Sequence, residues 1–252
     1  MPKILITGCS SGFGLAIAER FVMAGWDVVA TMRTPRTDLL PHNERLKILA
    51  LDVTDADSIT KAVEAAWPID VLVNNAGVGM LNAFEGAEMS KIRELFETNV
   101  FGAMAVTQSV LPQMRARRSG VIVNVSSTVT LKPLPALSVY SASKAALNAF
   151  TESLALEAAL FDVRAKLVLP GSAPTTEFGK NAVARMGLEI PEPYSEFVHD
   201  YLTTLRSSSE CTTAEEVADA VWRTVTDPQT PMKVPAGADA QTWFRETGHP
   251  VI

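Results

Sequence analysis

The sequence predicts an α/β fold, a doubly wound parallel sheet of about seven strands with helices on both faces, in a single domain over residues 1–252. Two observations predict it. Short strands that are apolar on both faces alternate with helical patterns, which is typical of a parallel sheet covered on both sides. A glycine-rich segment directly follows the first strand, as in folds that bind ligands at the carboxyl edge of the sheet.

The strands are short runs of aliphatic and β-branched residues. The run 121–126 is rich in β-branched residues, and each run is separated from the next by a loop or a helix. Right-handed crossovers are expected to connect parallel neighbours. The predicted strands span residues 4–7, 27–32, 46–51, 70–74, 121–126, 165–169 and 233–235.

The helices follow from apolar residues that recur every three or four positions. In the first helix, 14–24, apolar side chains from Leu15 to Val22 share one face, and Gly25 ends the helix. A later helix begins at Thr213, where Glu216 completes a capping box. The other predicted helices span 52–66, 90–117 and 138–161.

One segment, 175–205, interrupts the alternation of strands and helices. It contains Pro191 and Pro193 among scattered aromatic residues. We expect it to be either a substrate lid over about 175–205 or an irregular connection.

The composition excludes several functional classes. The chain has 252 residues, 47% hydrophobic and 20% charged, with a net charge of −6, which argues against nucleic-acid binding through a basic field. Two cysteines and three histidines show neither a disulfide framework nor a metal-binding pattern. No signal-peptide pattern is present, and no apolar run approaches the roughly 18 residues needed to span a bilayer. We therefore expect a cytoplasmic protein without a metal.

The glycine-rich loop TGCSSGFG occupies residues 7–14, between the first strand and the first helix. Glycine lets the chain turn tightly and lets a diphosphate approach the backbone, and a helix N-terminus offers free N–H groups to it. The loop therefore predicts a Rossmann-type dinucleotide site, with a plain tight turn as the alternative. Cys9 is interpreted as a small loop residue rather than a reactive thiol.

The end of the second strand bears on the choice of cofactor. NAD sites usually carry an acidic residue about 20 positions after the glycines, but residues 28–37 contain neither Asp nor Glu. Arg33 and Arg36 stand there instead, and a guanidinium pairs well with a 2′-phosphate. We expect NADP(H) to be preferred, with Arg33 the better placed; NAD(H) with two solvated arginines is the alternative.

A second group of residues suggests proton transfer. Tyr140 and Lys144 lie one turn apart on a predicted helix, where an ammonium group can lower the pKa of a nearby phenol. Ser127 directly follows a predicted strand, at the edge where ligands bind in such sheets. The sequence NNAG at 74–77 ends another strand at that edge, and a favourable turn is its alternative interpretation.

These motifs together resemble the short-chain dehydrogenase/reductase family, in its branch of about 250 residues, over nearly the whole chain. TGCSSGFG, NNAG, TNVFG around Asn99, and YSASK from Tyr140 to Lys144 match family motifs. The form of the loop, with TMR after the second strand, most resembles NADP-preferring hydroxysteroid and retinol dehydrogenases. The cofactor-binding residues that the resemblance implies, with Arg33 from the argument above, are Gly8, Ser10, Ser11, Gly12, Phe13, Gly14, Arg33, Asp52, Val53, Asn75, Ala76, Gly77, Tyr140, Lys144, Pro170, Gly171 and Thr175.

The resemblance implies reversible hydride transfer between NADP(H) and an alcohol or carbonyl group. Ser127 would hold the carbonyl oxygen and Tyr140 would give it a proton. Lys144 would lower the tyrosine pKa and hold the nicotinamide ribose, and Asn99 would hold a water of a proton relay. The alternatives are an NAD-dependent alcohol dehydrogenase of the same family, a nucleotide-sugar epimerase or dehydratase, and a non-catalytic NADP sensor.

The substrate is expected to be an apolar ketone, aldehyde or secondary alcohol, because no cationic cluster for an anionic substrate lies near the chemistry. The residues expected to line the pocket are Met80, Leu131, Leu134, Ala173, Phe178, Tyr194 and Phe197. Pro174 departs from the family pattern and removes a backbone donor beside the cofactor. The resemblance also implies a homodimer or homotetramer formed through the two long helices, 90–117 and 138–161.

Overall fold

The computed structural model of the chain describes residues 1–173, 190–207 and 211–248. Within these ranges seven parallel strands form one sheet in the order β3-β2-β1-β4-β5-β6-β7, which confirms the predicted doubly wound α/β fold. The strands are β1 Lys3–Ile6, β2 Asp27–Met32, β3 Leu46–Ala50, β4 Val71–Asn74, β5 Gly120–Val125, β6 Val163–Pro170 and β7 Lys233–Ala236. The strand order reverses between β1 and β4, so a ligand crevice is expected at their carboxyl ends.

The helices cover both faces of the sheet. They are α1 Gly12–Met23, α2 Ala56–Ala66, α3 Met89–Phe96, α4 Ala103–Arg117, α5 Ser138–Ala159, α6 Ser195–Ser207, α7 Ala214–Thr226 and α8 Ala238–Glu246. A π-helical turn, Glu97–Gly102, joins α3 to α4, so the long helix predicted over 90–117 is one continuous run with a local widening. None of the helices within the described ranges is both long enough and apolar enough to cross a membrane.

Alternation along the strands divides the core into two layers. In β1, Ile4 and Ile6 pack with Phe21 of α1 and with α7 on one face of the sheet. Leu5 points to the other face, where α2, α4 and α5 contribute residues such as Val106 and Leu154. This two-sided burial explains why most positions of the central strands β1, β4 and β5 are apolar.

Most predicted boundaries hold to within two residues, and the largest difference among the predicted elements has a clear local cause. The helix predicted at 52–66 begins only at Ala56, because the Asp55 side chain caps it by accepting hydrogen bonds from the backbone N–H groups of Asp57 and Ser58. At the start of α7, Thr213 and Glu216 form the predicted capping box.

Two helices were not predicted. Helix α6 begins directly after Pro191 and the short 3₁₀ turn Glu192–Tyr194, so the prolines precede the helix rather than break it. The expectation of an irregular connection is therefore wrong for residues 195–205, while residues 175–189 of the expected lid lie outside the described residues, and the lid itself stays a prediction. Helix α8 follows β7 after the turn at Gly237.

Candidate active site

The glycine-rich loop leaves β1 and enters α1 with little room for side chains. Gly8 has a φ of +75°, a conformation that residues with a Cβ rarely adopt. A Cβ on Gly14 would overlap the carbonyl oxygen of Gly8, so the first turn of α1 packs directly against the loop backbone. The sequence TGCSSGFG therefore encodes a tight approach of strand, loop and helix.

The N-terminus of α1 has no side-chain cap. Ser11 occupies the cap position without making a side-chain capping bond, and the first turn of α1 contains no acidic residue. Backbone N–H groups at such a terminus, together with the helix dipole, suit a diphosphate. Ser10 is exposed, Ser11, Gly12 and Phe13 are half-buried, and Gly14 is buried.

Cys9 is not a reactive group. Its side chain is fully buried, and burial raises the pKa of its thiol to about 12, so the thiol stays protonated at physiological pH. This supports its interpretation as a small loop residue.

The segment after β4 is hydrogen-bonded to the start of the glycine-rich loop. The Asn75 amide donates hydrogen bonds to the carbonyl oxygens of Thr7 and Gly8, at 3.0 and 3.1 Å. The Thr7 hydroxyl accepts the backbone N–H groups of Asn75 and Ala76, both at 3.0 Å. Asn75 therefore supports the loop with its side chain. Sequence analysis did not assign this role to Thr7, whose position at the strand end was the available signal.

The carboxyl ends of β2 and β3 bring Arg33 and Asp52 near each other. Backbone hydrogen bonding from Thr54 is the main cause of a lowered pKa for Asp52, and the positive charge of Arg33 contributes to it. Arg33 is exposed, whereas Arg36 is paired with Asp38 at 2.7 Å. Val53 is buried beside Gly102. Of the two arginines, Arg33 is the one left available to a ligand at this edge.

Tyr140 and Lys144 lie on α5 with only 7% and 5% of their surfaces exposed. The Lys144 ammonium nitrogen lies 5.9 Å from the centre of the Tyr140 ring and donates a hydrogen bond of 2.9 Å to the carbonyl oxygen of Val125, the last residue of β5. Ser127, two residues further on, is also buried, and its side chain is hydrogen-bonded to that of Tyr140. The structure thus brings the predicted serine, tyrosine and lysine together.

Asn99 completes this group from the π-helical turn. Its Oδ1 accepts the Val78 N–H at 2.8 Å, and its Nδ2 donates to the Val78 carbonyl at 2.9 Å and to the Ser143 hydroxyl at 3.2 Å. A Cβ on Gly77 would lie 3.3 Å from Asn99 Oδ1 and 3.6 Å from Lys144 Nζ, so the Gly77 backbone lies between the two side chains. Asn99 therefore fixes the segment that follows β4.

The pKa values of the pair differ from the sequence expectation. Burial raises the pKa of Tyr140, and the hydrogen bond from Ser127 opposes this only in part. Burial also lowers the pKa of Lys144 from 10.5 to about 8. The expected lowering of the tyrosine pKa by the lysine is therefore not found in the protein alone. Moving the phenolate from water into the protein costs more free energy than its neighbours supply by stabilising the negative charge.

Buried polar residues behind the site tie the sheet to its helices. The Asn74 amide donates to Asn124 Oδ1 and the Thr107 hydroxyl, at 2.8 and 2.9 Å, and Asn124 donates to the Thr151 hydroxyl at 2.7 Å. These bonds connect β4 and β5 to α4 and α5. Sequence analysis missed them, although an asparagine inside the apolar strand 121–126 was a usable signal.

The segment after β6 reaches the same edge of the sheet. Pro170 ends the strand and is buried, and Gly171 is half-buried. The Gly171 N–H is shared between the Thr212 hydroxyl at 3.0 Å and the Ala236 carbonyl at 3.3 Å. Thr175 and Pro174 lie outside the described residues.

An apolar groove of about 260 Å³ opens next to the start of α5. Its lining residues are Ala83, Phe84, Glu85, Ala136, Ser138, Tyr194, Phe197 and Val198. Tyr194 and Phe197, two of the residues predicted to line the substrate pocket, lie in this groove, and their contact with a substrate stays a prediction. Met80 instead packs in the core against Tyr140, Leu131 packs against Phe244, Leu134 and Ala173 do not line the groove, and Phe178 lies outside the described residues.

Comparison with protein families matches residues 2–186 to the short chain dehydrogenase family. An uncharacterised oxidoreductase of Bacillus subtilis strain 168 is 38% identical, over 88% of this chain and 84% of its own. Human retinol dehydrogenase 8 is 36% identical, over 78% of this chain and 67% of its own. Mouse 17-beta-hydroxysteroid dehydrogenase type 1 is 32% identical, over 90% and 71%.

Solved structures show the same similarity in three dimensions. A short-chain dehydrogenase from Streptomyces avermitilis superposes with a TM-score of 0.84 at 36% identity, covering 98% of this chain and 92% of its own. A short chain dehydrogenase from Burkholderia cenocepacia J2315, solved in complex with NADP, gives a TM-score of 0.78 at 26% identity, covering 98% and 92%.

Proposed function

Because this chain belongs to the short-chain dehydrogenase/reductase family, whose members oxidise CH–OH or reduce C=O groups with a nicotinamide cofactor, we propose that it transfers a hydride between NADP(H) and an apolar ketone, aldehyde or secondary alcohol. One observation carries the proposal: Ser127, Tyr140 and Lys144 are buried together at the carboxyl end of β5, where such sheets bind ligands.

The protein's own groups supply orientation and a proton. The nicotinamide, when bound, supplies or accepts the hydride. The Ser127 hydroxyl orients the substrate oxygen, and Tyr140 gives that oxygen its phenolic proton in reduction. Tyr140 is protonated at neutral pH and so holds the proton that reduction requires. Its raised pKa makes it a weaker acid than a free tyrosine, so proton transfer depends on stabilisation of the phenolate by its neighbours. The Lys144 ammonium then stabilises the phenolate that remains.

Asn99 positions the segment after β4 and the turn of α5 that carries Tyr140. Its amide holds both backbone groups of Val78, and through Ser143, whose hydroxyl donates to the Tyr140 carbonyl at 2.8 Å, it is connected to the turn of α5 that carries the tyrosine. Both protons of its amide are used within the protein. A water of the proposed proton relay would therefore have to donate its own hydrogen bond to an oxygen of Asn99.

The residues present fit NADP(H). The uncapped N-terminus of α1, with no acidic residue in its first turn, suits the diphosphate. The exposed Arg33 at the end of β2 suits the 2′-phosphate, and Asp52 nearby suits the adenosine end. The structural relative from Burkholderia cenocepacia, solved with NADP, supports this assignment. An NAD-dependent enzyme of the same family is the alternative.

The groove supports an apolar substrate. Among the described residues that line it, Glu85 is the one charged side chain, and it is hydrogen-bonded to Tyr194. A lone carboxylate in an apolar groove disfavours an anionic substrate. Two relatives are named for a retinoid and a steroid alcohol, both apolar, which agrees with this substrate class.

The deciding experiment compares the wild type with Tyr140→Phe in the reduction of apolar cyclic ketones and aldehydes by NADPH. The variant should bind NADPH with nearly unchanged affinity, since only a hydroxyl is removed, and should lose turnover by about 10³-fold or more. Turnover retained in Tyr140→Phe would contradict the assignment of the proton donor. No NADPH or NADH binding to the wild type would contradict the proposed function itself.

A further inference from the structure

A buried polar cluster lies behind the segment that follows β6. Asp239, in the first turn of α8, is 8% exposed, and Thr212 is 1% exposed. The Thr212 hydroxyl oxygen lies 2.7 Å from Asp239 Oδ1 and 2.9 Å from the Ala236 carbonyl oxygen, and its single proton is donated to one of these two acceptors. The carboxylate also lies at a helix N-terminus, where the dipole stabilises its charge.

This cluster holds two successive backbone N–H groups of the segment 170–173. The Gly171 N–H donates to the Thr212 hydroxyl at 3.0 Å, and the Ser172 N–H donates to Asp239 Oδ2 at 2.6 Å. The Thr212 N–H in turn donates to the Ser172 carbonyl at 2.7 Å. The N–H of the Gly171–Ser172 peptide is therefore bound, and so are the groups that flank this peptide, the Gly171 N–H and the Ser172 carbonyl. These hydrogen bonds fix the orientation of the peptide from the side of α8.

The fit between the carboxylate and the segment is close. A Cβ on Gly171 would overlap the Asp239 carboxylate, so the position accepts only glycine while the aspartate stays in place. Helix α8 also packs against the 3₁₀ turn Thr128–Thr130 that follows Ser127, and Phe244 contacts Leu131 next to that turn. One short helix thus supports the chain on two sides of the proposed nicotinamide site.

We propose that Asp239 and Thr212 are positioning residues that hold the Gly171–Ser172 peptide in the orientation that the nicotinamide end of the cofactor requires. The inference rests on the proposed function, because it takes the segment after β6 to cover the nicotinamide. It assigns a role in cofactor binding to a residue outside the motifs that identify the family in this sequence. The adenosine end of the site lies at β2 and β3, on the other side of the switch point, and should not depend on this cluster.

A binding experiment with two ligands tests the nicotinamide end and the adenosine end of the site separately, and it needs no turnover. NADPH contains the nicotinamide, whereas 2′-phosphoadenosine diphosphoribose has the same adenosine, 2′-phosphate and diphosphate without it. We expect Asp239→Ala to weaken NADPH binding about 10-fold and to lower kcat/KM by up to about 100-fold, as a misplaced cofactor does. Binding of the truncated ligand should change less than about 2-fold.

Further variants protect the test against a folding defect. Thr212→Val removes the hydroxyl and should give the same selective loss, while Thr212→Ser retains it and should restore NADPH binding. Glu246→Gln, on the same helix and paired at the surface with Lys132, is the matched control and should bind both ligands like the wild type. Circular dichroism and the melting temperature report the folded fraction of each protein.

The outcomes are distinguishable. An equal loss of both ligands in Asp239→Ala and Thr212→Val, or no loss of either, would overturn the positioning role while leaving the proposed function intact. If the wild type binds neither ligand, the proposed function fails and the inference fails with it. Selective loss of NADPH in both variants, with recovery in Thr212→Ser, is the result we expect.

Discussion

The ammonium nitrogen of Lys144 donates a 2.9 Å hydrogen bond to the carbonyl oxygen of Val125. This bond joins the second turn of α5 to the end of β5, two residues before Ser127. It also places a titratable cation in a buried position whose environment lowers its pKa to about 8. The proposed site is therefore built around a charge that destabilises the fold.

Replacing Lys144 should increase the stability of the fold while abolishing activity. Both the folded and unfolded states bind the lysine proton below pH 8, so the full cost of burying the charge is present there, on the order of 3 kcal/mol from the lowered pKa. The cost fades between pH 8 and 10.5, where only the unfolded state keeps the proton. We expect Lys144→Met to raise the free energy of unfolding at pH 7, measured by urea titration, by about 1–2 kcal/mol after the lost hydrogen bond is counted. The same variant should lose turnover.

The comparison needs two controls. Lys61→Met, on the exposed face of α2, should leave stability nearly unchanged at both pH values. Repeating the urea titration at pH 9.5 should show a smaller difference between Lys144→Met and the wild type. A lower stability of the variant at pH 7 would mean that the lysine contributes more through its contacts than its burial costs.

The pH dependence of reduction should follow the lysine rather than the tyrosine. Because burial lowers the pKa of Lys144 to about 8 and raises that of Tyr140, the first proton lost on the alkaline side belongs to Lys144. Loss of its charge removes the group that stabilises the phenolate. We expect kcat/KM for NADPH, which reports the free enzyme, to fall as pH rises through about 8. A profile that stays flat to pH 9.5 would contradict the role given to Lys144.

Cofactor preference should depend on one arginine. Arg33 is exposed beside Asp52 and available to a 2′-phosphate, whereas Arg36 is already paired with Asp38. A charge-assisted pair with a phosphate contributes about 1.5–3 kcal/mol. Arg33→Ala should therefore weaken NADPH binding by roughly 10- to 100-fold and leave NADH binding unchanged, as measured by fluorescence titration.

Arg36→Ala is the matched control for this titration, since it removes the same charge from the same loop. It should change NADPH affinity by less than about 3-fold. Equal affinity of the wild type for NADPH and NADH would mean that Arg33 is only a surface charge, and alcohols should then be screened with NAD.

The parts of the site that sequence could predict are those set by local geometry. Tyr140 and Lys144 share a face because a helix repeats every 3.6 residues, and Ser127 lies at the ligand edge because it follows a strand of a parallel sheet. The long helix over 90–117 and the capping box at Thr213 follow from equally local patterns. Each of these needs only a few neighbouring residues.

The parts that could not be predicted depend on burial and on distant contacts. Asp239 meets Ser172 across 67 residues of sequence, and a single aspartate after a strand gives no local signal of that contact. The direction of the Tyr140 pKa depends on how deeply the helix is buried, which a Tyr/Lys spacing does not show. Helix α6 was not predicted because Pro191 and Pro193 favoured an irregular segment, whereas both prolines lie before the first residue of the helix.

Assembly through the long helices can be tested by charge insertion. Leu156 on α5 and Leu160, the residue directly after α5, are 77% and 69% exposed, and Phe101 in the π-helical turn before α4 is 53% exposed. This is an unusual amount of apolar surface for helices that also cover the sheet. If these side chains form the proposed homo-oligomer interface, Leu160→Glu should shift the mass measured by light scattering to the monomer. The same mass for variant and wild type would place the interface elsewhere; Met23→Glu, 85% exposed on α1, is the control.

The glycine-rich loop should tolerate no side chain at its contact with α1. A Cβ on Gly14 would overlap the Gly8 carbonyl oxygen, so Gly14→Ala must push the first turn of α1 away from the loop and from the proposed diphosphate site. We expect a loss of about 2–4 kcal/mol in the free energy of unfolding, as for overpacked sites, together with loss of NADPH binding. At Gly25, at the other end of the same helix, no atom lies within 4 Å of an added Cβ, so Gly25→Ala costs only the strain of its φ of +79°, about 1 kcal/mol, and keeps cofactor affinity. Unchanged NADPH affinity in Gly14→Ala, measured beside Gly25→Ala, would show that the close packing of loop and helix is not what forms the diphosphate site.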